Sequence, residues 1–250
     1  MTLATLGRDL LDLLLPRACL GCGVRVPPER EPGLVCGPCA TALREPSYPR
    51  CGRCDFPLGT GAATDAGCSE CRRWPTALSG ARACSVLKPP ADALVHALKY
   101  DGWSGLAEVM GSRMGMLGIH SGVRRPFLVV PVPTTRARAR RRGYNQAKLL
   151  AEVVARNTRE PLVDALIRRP GGATQVSLHP SQRLANVKRV FSVREDERLR
   201  LRGASILLVD DVLTTGATAG AAAEALADAG CGGVYLSAFT RAFPHMMESH

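Results

Sequence analysis

The run from Ile206 to Thr218, ILLVDDVLTTGAT, constrains this chain of 250 residues more than any other stretch. Ile206, Leu207, Leu208 and Val209 are apolar without a break. That is the pattern of a strand buried on both faces, as central parallel strands are. Two carboxylates, Asp210 and Asp211, follow at its carboxyl end. A short loop of hydroxyls and one glycine comes next. Ala219 to Ala229 is then mostly Ala, with Leu and Glu, which is strong helix composition. Strand, acidic tip, loop and helix make half of an α/β unit. Such sheets bind ligands beyond the carboxyl ends of their strands. The expected core is therefore an α/β domain with a mainly parallel sheet.

The loop chemistry suits a phosphate monoester. Thr214, Thr215 and Thr218 offer hydroxyl donors, and Gly216 allows close backbone approach. Backbone N–H groups at the start of the next helix favour an anion. Asp210 and Asp211 beside such a pocket make sense when the ligand carries a sugar, because they can accept hydrogen bonds from vicinal hydroxyls. Metal binding or helix capping would also explain a lone acidic pair, but the complete run is more specific. It resembles, from Val209 to Thr218 without a gap, the phosphoribosyl-pyrophosphate (PRPP) signature of type I phosphoribosyltransferases. The resemblance implies that Asp210 and Asp211 hold the ribose hydroxyls. It assigns the 5′-phosphate to Thr214, Thr215, Gly216, Ala217 and Thr218.

Cysteine spacing defines a second unit. Eight of the ten cysteines form four C-x-x-C pairs: Cys19/Cys22, Cys36/Cys39, Cys51/Cys54 and Cys68/Cys71. Thirteen residues separate the first pair from the second, and thirteen the third from the fourth. Four thiolates complete a tetrahedral zinc site, and the two-residue spacer lets one turn present a pair. The repeat favours two structural zinc ribbons with sequential pairing. A crossed pairing, first with third and second with fourth, uses the same ligands, and redox disulfides are the other reading of C-x-x-C. The segment has little apolar content of its own, so metal would supply its folding energy. Eight thiolates and two Zn²⁺ would lower the formal net charge from +11 to about +7.

The remaining sequence divides readily. Leu3 to Leu15 has helical leucine spacing up to Pro16. Arg8, Asp9 and Asp12 interrupt it, against a signal peptide, and no run is long enough to span a membrane. Cytoplasmic location is expected, where paired cysteines indicate metal. Residues 1–78 are read as the leucine-rich helix and double zinc ribbon, and 79–250 as the α/β domain. Expected strands cover Gly80–Leu87, Phe127–Val130, Leu162–Arg168, Val190–Val193 and Val234–Phe239. Expected helices cover Ala91–Lys99, Gly105–Ile119, Gln146–Asn157 and, briefly, Gln182–Val187, with a break at Gly171–Gln175.

Charge concentrates in one place. Arg136 to Arg142 carries five arginines in seven residues, and Arg136 to Arg169 carries ten basic against three acidic residues. A solvated loop and helix face is the plain reading. The position after a strand end, and the mixture of Arg with Gly, suit phosphate contact. Pro133, Thr134, Arg142 and Gly143 are read as a pyrophosphate or anion loop. Arg136, Arg138, Arg140 and Arg141 are read as candidates for nucleic-acid contact.

Taken together these features resemble the ComF family, double-zinc-ribbon phosphoribosyltransferase-like proteins tied to DNA uptake. The resemblance comprises the leucine-rich start, the cysteine pairs, Leu98-Lys99-Tyr100-Asp101-Gly102, Pro131-Val132-Pro133 and Arg142-Gly143-Tyr144-Asn145-Gln146. It also takes in Gln175 with Arg183 and Asn186, and the PRPP loop. Tyr144 stands where Phe is commoner. The resemblance implies a sheet of type I phosphoribosyltransferase type preceded by a small double zinc ribbon, PRPP bound with Mg²⁺, and action on single-stranded DNA beside DNA-uptake or recombination proteins. Three function classes follow: a competence module binding single-stranded DNA and a ribose phosphate, a working transferase with an unknown acceptor, and a PRPP-sensing regulator without catalysis.

Overall fold

In the computed structural model, residues 18–26, 33–59, 68–169 and 190–243 are described. The expected leucine-rich helix, the break at Gly171–Gln175, the short helix at Gln182–Val187 and the motif residues Gln175, Arg183 and Asn186 lie outside them.

The apolar run at Ile206 forms the centre of the sheet. Strand β5 (Ser205–Leu213) pairs in parallel with β2 (Phe127–Pro131) on one side and β6 (Gly233–Arg241) on the other. Strand β1 (Leu78–Ala83) pairs in parallel outside β6, giving the order β1-β6-β5-β2. Successive side chains of a strand face opposite ways. Leu207 and Val209 enter a cluster with α2 (Ala91–Tyr100), α3 (Leu106–Leu117) and α5 (Gln146–Thr158). Ile206 and Leu208 enter another with α7 (Ala217–Asp228). Helices thus cover both faces, as a parallel sheet requires. A small antiparallel pair, β3 (Leu166–Arg168) with β4 (Phe191–Val193), leads into α6 (Arg198–Leu201), and Leu166, Phe191 and Leu201 join the α7-side cluster. Among the described residues no helix is long and apolar enough to cross a membrane.

Several segments differ from expectation. The central strand runs through the acids, since Asp210 is in register with Ala238 and Leu213 with Arg241. Strand β1 starts earlier and stops at Ala83, leaving only a bridge from Val86 to Arg241. The arginine run is not a loop but helix α4 (Arg136–Arg142), opened by Thr135, whose hydroxyl accepts from Arg138 N at 3.2 Å, and closed by Gly143 at φ +83°. Arg and Ala are both strong helix formers.

The N-terminal region contains helix α1 (Gly37–Ala42). It is built into the sheet rather than appended to it. Cys51, Cys54, Cys71 and Trp74 share the α7-side apolar cluster, while Leu20, Leu34, Val35 and Leu43 pack on the opposite cluster. Asp55, at φ +60° and 1% exposed, receives Arg82 at 2.6 Å and Arg50 at 3.5 Å, and accepts from Ala83 N at 3.1 Å. Arg241, also 1% exposed, donates to the Cys54 carbonyl and lies between Phe56 and Phe243, 5.5 and 5.7 Å from their ring centroids.

Candidate functional site

The cysteines gather in the sequential pairing. The sulfurs of Cys19, Cys22, Cys36 and Cys39 lie within 4.8 Å of one another, as do those of Cys51, Cys54, Cys68 and Cys71. Four thiolates at about 2.3 Å from a tetrahedral zinc have sulfur–sulfur edges of about 3.8 Å. Cys22–Cys36 and Cys51–Cys71 are 3.8 Å apart, Cys54–Cys68 3.4 Å and Cys68–Cys71 3.9 Å. A disulfide needs about 2.05 Å, and all ten cysteines are free. The arrangement fits structural zinc at both clusters. Burial raises the Cys19 thiol, but N–H donors of Cys36, Gly21 and Cys22 outweigh it and bring it down to about 6. The clusters differ in setting. Cys22 is exposed in the first, whereas Cys51, Cys54 and Cys71 are buried in the second.

At the carboxyl edge of the sheet the two acids part company. Asp211 is buried, and its Oδ2 lies 2.9 Å from Lys99 Nζ at the end of α2. The contact is close but poorly aligned, so Asp211 Oδ2 has no hydrogen-bond partner among the described residues. Asp210 Oδ1 accepts from Asp211 N at 2.9 Å. Burial and the Asp211 carboxylate push the Asp210 carboxyl well above the usual range, against the backbone bond and Lys99. Asp210 shares its register with Ala238, which belongs to the α7-side cluster. On that side stands Arg168 of β3, which burial and repulsion from Arg138 lower while Asp210 opposes the shift. The pair therefore straddles the sheet, with Lys99 paired to Asp211 and lowering Asp210 as well.

Beyond Leu213 the loop turns outward. Thr214, Thr215, Ala217 and Thr218 are exposed, and Gly216 is buried at φ +82°. Thr215 Oγ1 accepts from Ala217 N at 3.4 Å. From below, Trp74 Nε1 donates to the Thr215 carbonyl at 2.8 Å.

The arginine helix stands on the neighbouring strand of this edge, because Pro131 at the end of β2 is in register with Val209. Arg136, Arg138, Arg140 and Arg141 are exposed and make no ion pair among the described residues. Arg142 is turned inward. It donates to Gln146 Oε1 at 2.7 Å and lies 5.2 Å from the Tyr100 ring centroid. The rest of its motif joins helices: Tyr144 donates to Leu98 O at 2.6 Å, and Asn145 caps α5 while donating to Val132 O at 3.1 Å. Pro133 and Thr134 are half-buried between β2 and α4.

Three residues of this edge escaped sequence reasoning: Lys99, Arg168 and Trp74. In the sequence Lys99 lies in the Leu98–Gly102 motif with no role attached, and Arg168 is one charge of the basic window. Nothing in the sequence singles out Trp74.

A double zinc ribbon domain family matches residues 10–72. The DNA utilization protein YhgH of Salmonella typhi is 30% identical over 219 residues, covering 86% of this chain and 92% of that one. Competence protein ComFC of Bacillus subtilis (strain 168) is 28% identical over 202 residues, covering 78% and 79%. Among solved structures, the glutamine PRPP amidotransferase of B. subtilis overlays 64% of this chain and 31% of its own at 18% identity and a TM-score of 0.39. With two Cys₄ clusters fitted for zinc, and a relative 30% identical across 92% of its length, the chain belongs to the ComF family of competence and DNA utilization proteins.

Proposed function

We propose that the chain binds PRPP or a related ribose phosphate at the edge formed by Asp210, Asp211 and the Thr214–Thr218 loop, and single-stranded DNA along α4. Both would serve DNA uptake or processing in the cytoplasm. The observation that carries the reading is the junction itself. A half-buried Asp210 and a buried Asp211 lead into an exposed hydroxyl loop whose Gly216 sits at φ +82° and opens α7. The carboxylates suit sugar hydroxyls, and the loop N–H groups with the helix start suit a phosphate. Thr134 and the first turn of α4 lie on the next strand, where a pyrophosphate group would extend. Mg²⁺ would arrive with the pyrophosphate oxygens and neutralise part of their charge. Phosphoryl oxygens would also offset the unpaired charge of the exposed arginines.

Calorimetric titration of PRPP with Mg²⁺ into the full chain tests the small-molecule site. Binding to the wild type, lost in Asp210→Asn/Asp211→Asn with an unchanged circular dichroism spectrum, is the expected result. Equal affinity in the variant removes the acids from the site. Pyrophosphate release in the presence of candidate acceptors separates a transferase from a binding module.

A further inference from the structure

We infer that Trp74 is a positioning residue for the Thr214–Thr218 loop, fixing the peptide between Thr215 and Gly216 so that its N–H faces the exposed side. This rests on the reading of that loop as the phosphate cradle. The indole is anchored to the second cysteine cluster. Trp74 N donates to Cys71 O at 3.1 Å, three residues from a ligand thiolate. Arg53, between Cys51 and Cys54, donates to Cys71 O, Pro75 O and Leu78 O at 3.0, 3.2 and 2.8 Å, with its guanidinium 5.8 Å from the Trp74 ring centroid. The turn bearing Trp74 is thus tied to both knuckles of one metal site. Trp74 is 7% exposed.

From this base the indole meets the loop twice. Its Nε1 donates to Thr215 O at 2.8 Å, and a Cβ on Gly216 would come within 2.4 Å of the same nitrogen. No residue but glycine fits there, both for that contact and for φ +82°. In a trans peptide the C=O and the following N–H point in opposite directions. A Thr215 carbonyl held toward Trp74 therefore turns the Gly216 N–H the other way. That N–H has no acceptor among the described residues. Pro75 adds a second contact, since a Cβ on Gly220 would meet its ring at 3.0 Å. The anion-facing donor is oriented by a zinc knuckle distant in sequence, and the second ribbon works as scaffold for the loop as well as for itself.

Trp74→Phe keeps a ring and removes the donor. Ribose 5-phosphate and PRPP with Mg²⁺ are titrated calorimetrically into the full chain, alongside zinc content and the thermal midpoint. The expected result is affinity about threefold to tenfold weaker, the effect of one lost hydrogen bond, with two zinc ions retained and no further loss in Trp74→Ala beyond its lower midpoint. Wild-type affinity in Trp74→Phe overturns the inference and leaves the ligand reading standing. The indole proton supplies an independent check by NMR. Trp103 is 45% exposed, so its proton exchanges fast, whereas that of Trp74 should be protected. If the wild type binds neither ligand, the ligand reading fails. The inference is then decided by amide exchange at residues 214–218: faster exchange in Trp74→Phe supports it, and unchanged exchange with an unprotected indole overturns it.

Discussion

Removing zinc from the second cluster should destabilise the sheet, whereas removing it from the first should not. Zinc with four thiolates carries a net charge of about −2. The second cluster sits against Arg241, a guanidinium 1% exposed with no carboxylate within ion-pairing distance among the described residues. Arg241 contacts the Cys54 carbonyl and two aromatic faces, and its charge acts to lower the Cys54 thiol against burial. A zinc-bound tetrathiolate there would act as its counter-ion. Stripping the metal lets the thiols reprotonate and leaves Arg241 buried and uncompensated, which costs about 3–5 kcal/mol. For a chain of this size each kcal/mol moves the midpoint by roughly 2–4 °C, so a fall of ~10 °C is expected. Cys68 is half-buried and accommodates serine without a steric penalty. Cys68→Ser should lose one zinc by elemental analysis and show that fall in far-UV circular dichroism. Cys22→Ser, at the exposed ligand of the first cluster, should lose one zinc with a shift of only a few degrees. A Cys68→Ser protein with one zinc and a wild-type midpoint would refute the counter-ion argument.

Asp210→Asn should stabilise the protein at neutral pH. The folded carboxyl lies above its unfolded value, so wild-type stability falls as pH rises above about 4; midpoints measured from pH 4 to 8 should converge at the acid end, and a pH-independent difference sinks the idea. Lys99→Met should cost about 3 kcal/mol by stranding the Asp211 carboxylate, and Asp211→Asn should restore most of it in urea unfolding. Neutralising Arg138, Arg140 and Arg141 to glutamine should weaken single-stranded DNA binding and flatten its log–log salt slope by about two units, near 0.7 for each lost phosphate contact; an unchanged slope removes α4 from the interface.

The central unit was legible because it is local. Four apolar residues, two acids, a small-residue loop and an alanine-rich helix specify strand, turn and helix within twenty residues, and β5 and α7 follow that reading. The cysteine pairing was legible because spacing repeats, and the clusters obey it. What the sequence hid depends on long-range contact. The poor apolar content of the ribbons does not show how they are tied to the sheet. Asp55 receives Arg82, and Arg241 donates to the Cys54 carbonyl, contacts between elements far apart in the chain. Lys99 was hidden for the same reason: it pairs with Asp211, more than a hundred residues away.

Those contacts also change which basic surface can meet nucleic acid. The ribbons carry Arg44, Arg50, Arg53, Arg72 and Arg73, a rival to α4 by count alone. Two of the five are committed. Arg50 is 8% exposed between Glu45 and Asp55, and Arg53 is held by three carbonyls. Arg44, Arg72 and Arg73 are exposed, and Arg73 shares a cleft with Glu70, Glu224 and Thr215, Gly216 and Ala217 of the loop. Deleting the ribbons would not separate the two surfaces, because it would remove Trp74 from the loop and the partner of Arg241 from the core. Point substitutions keep both. The four exposed arginines of α4 follow the strand next to the one that carries the acid pair, unpaired among the described residues. A polyanion lying along them would pass beside the ribose-phosphate edge, so the two proposed ligands would compete for, or share, the first turn of α4.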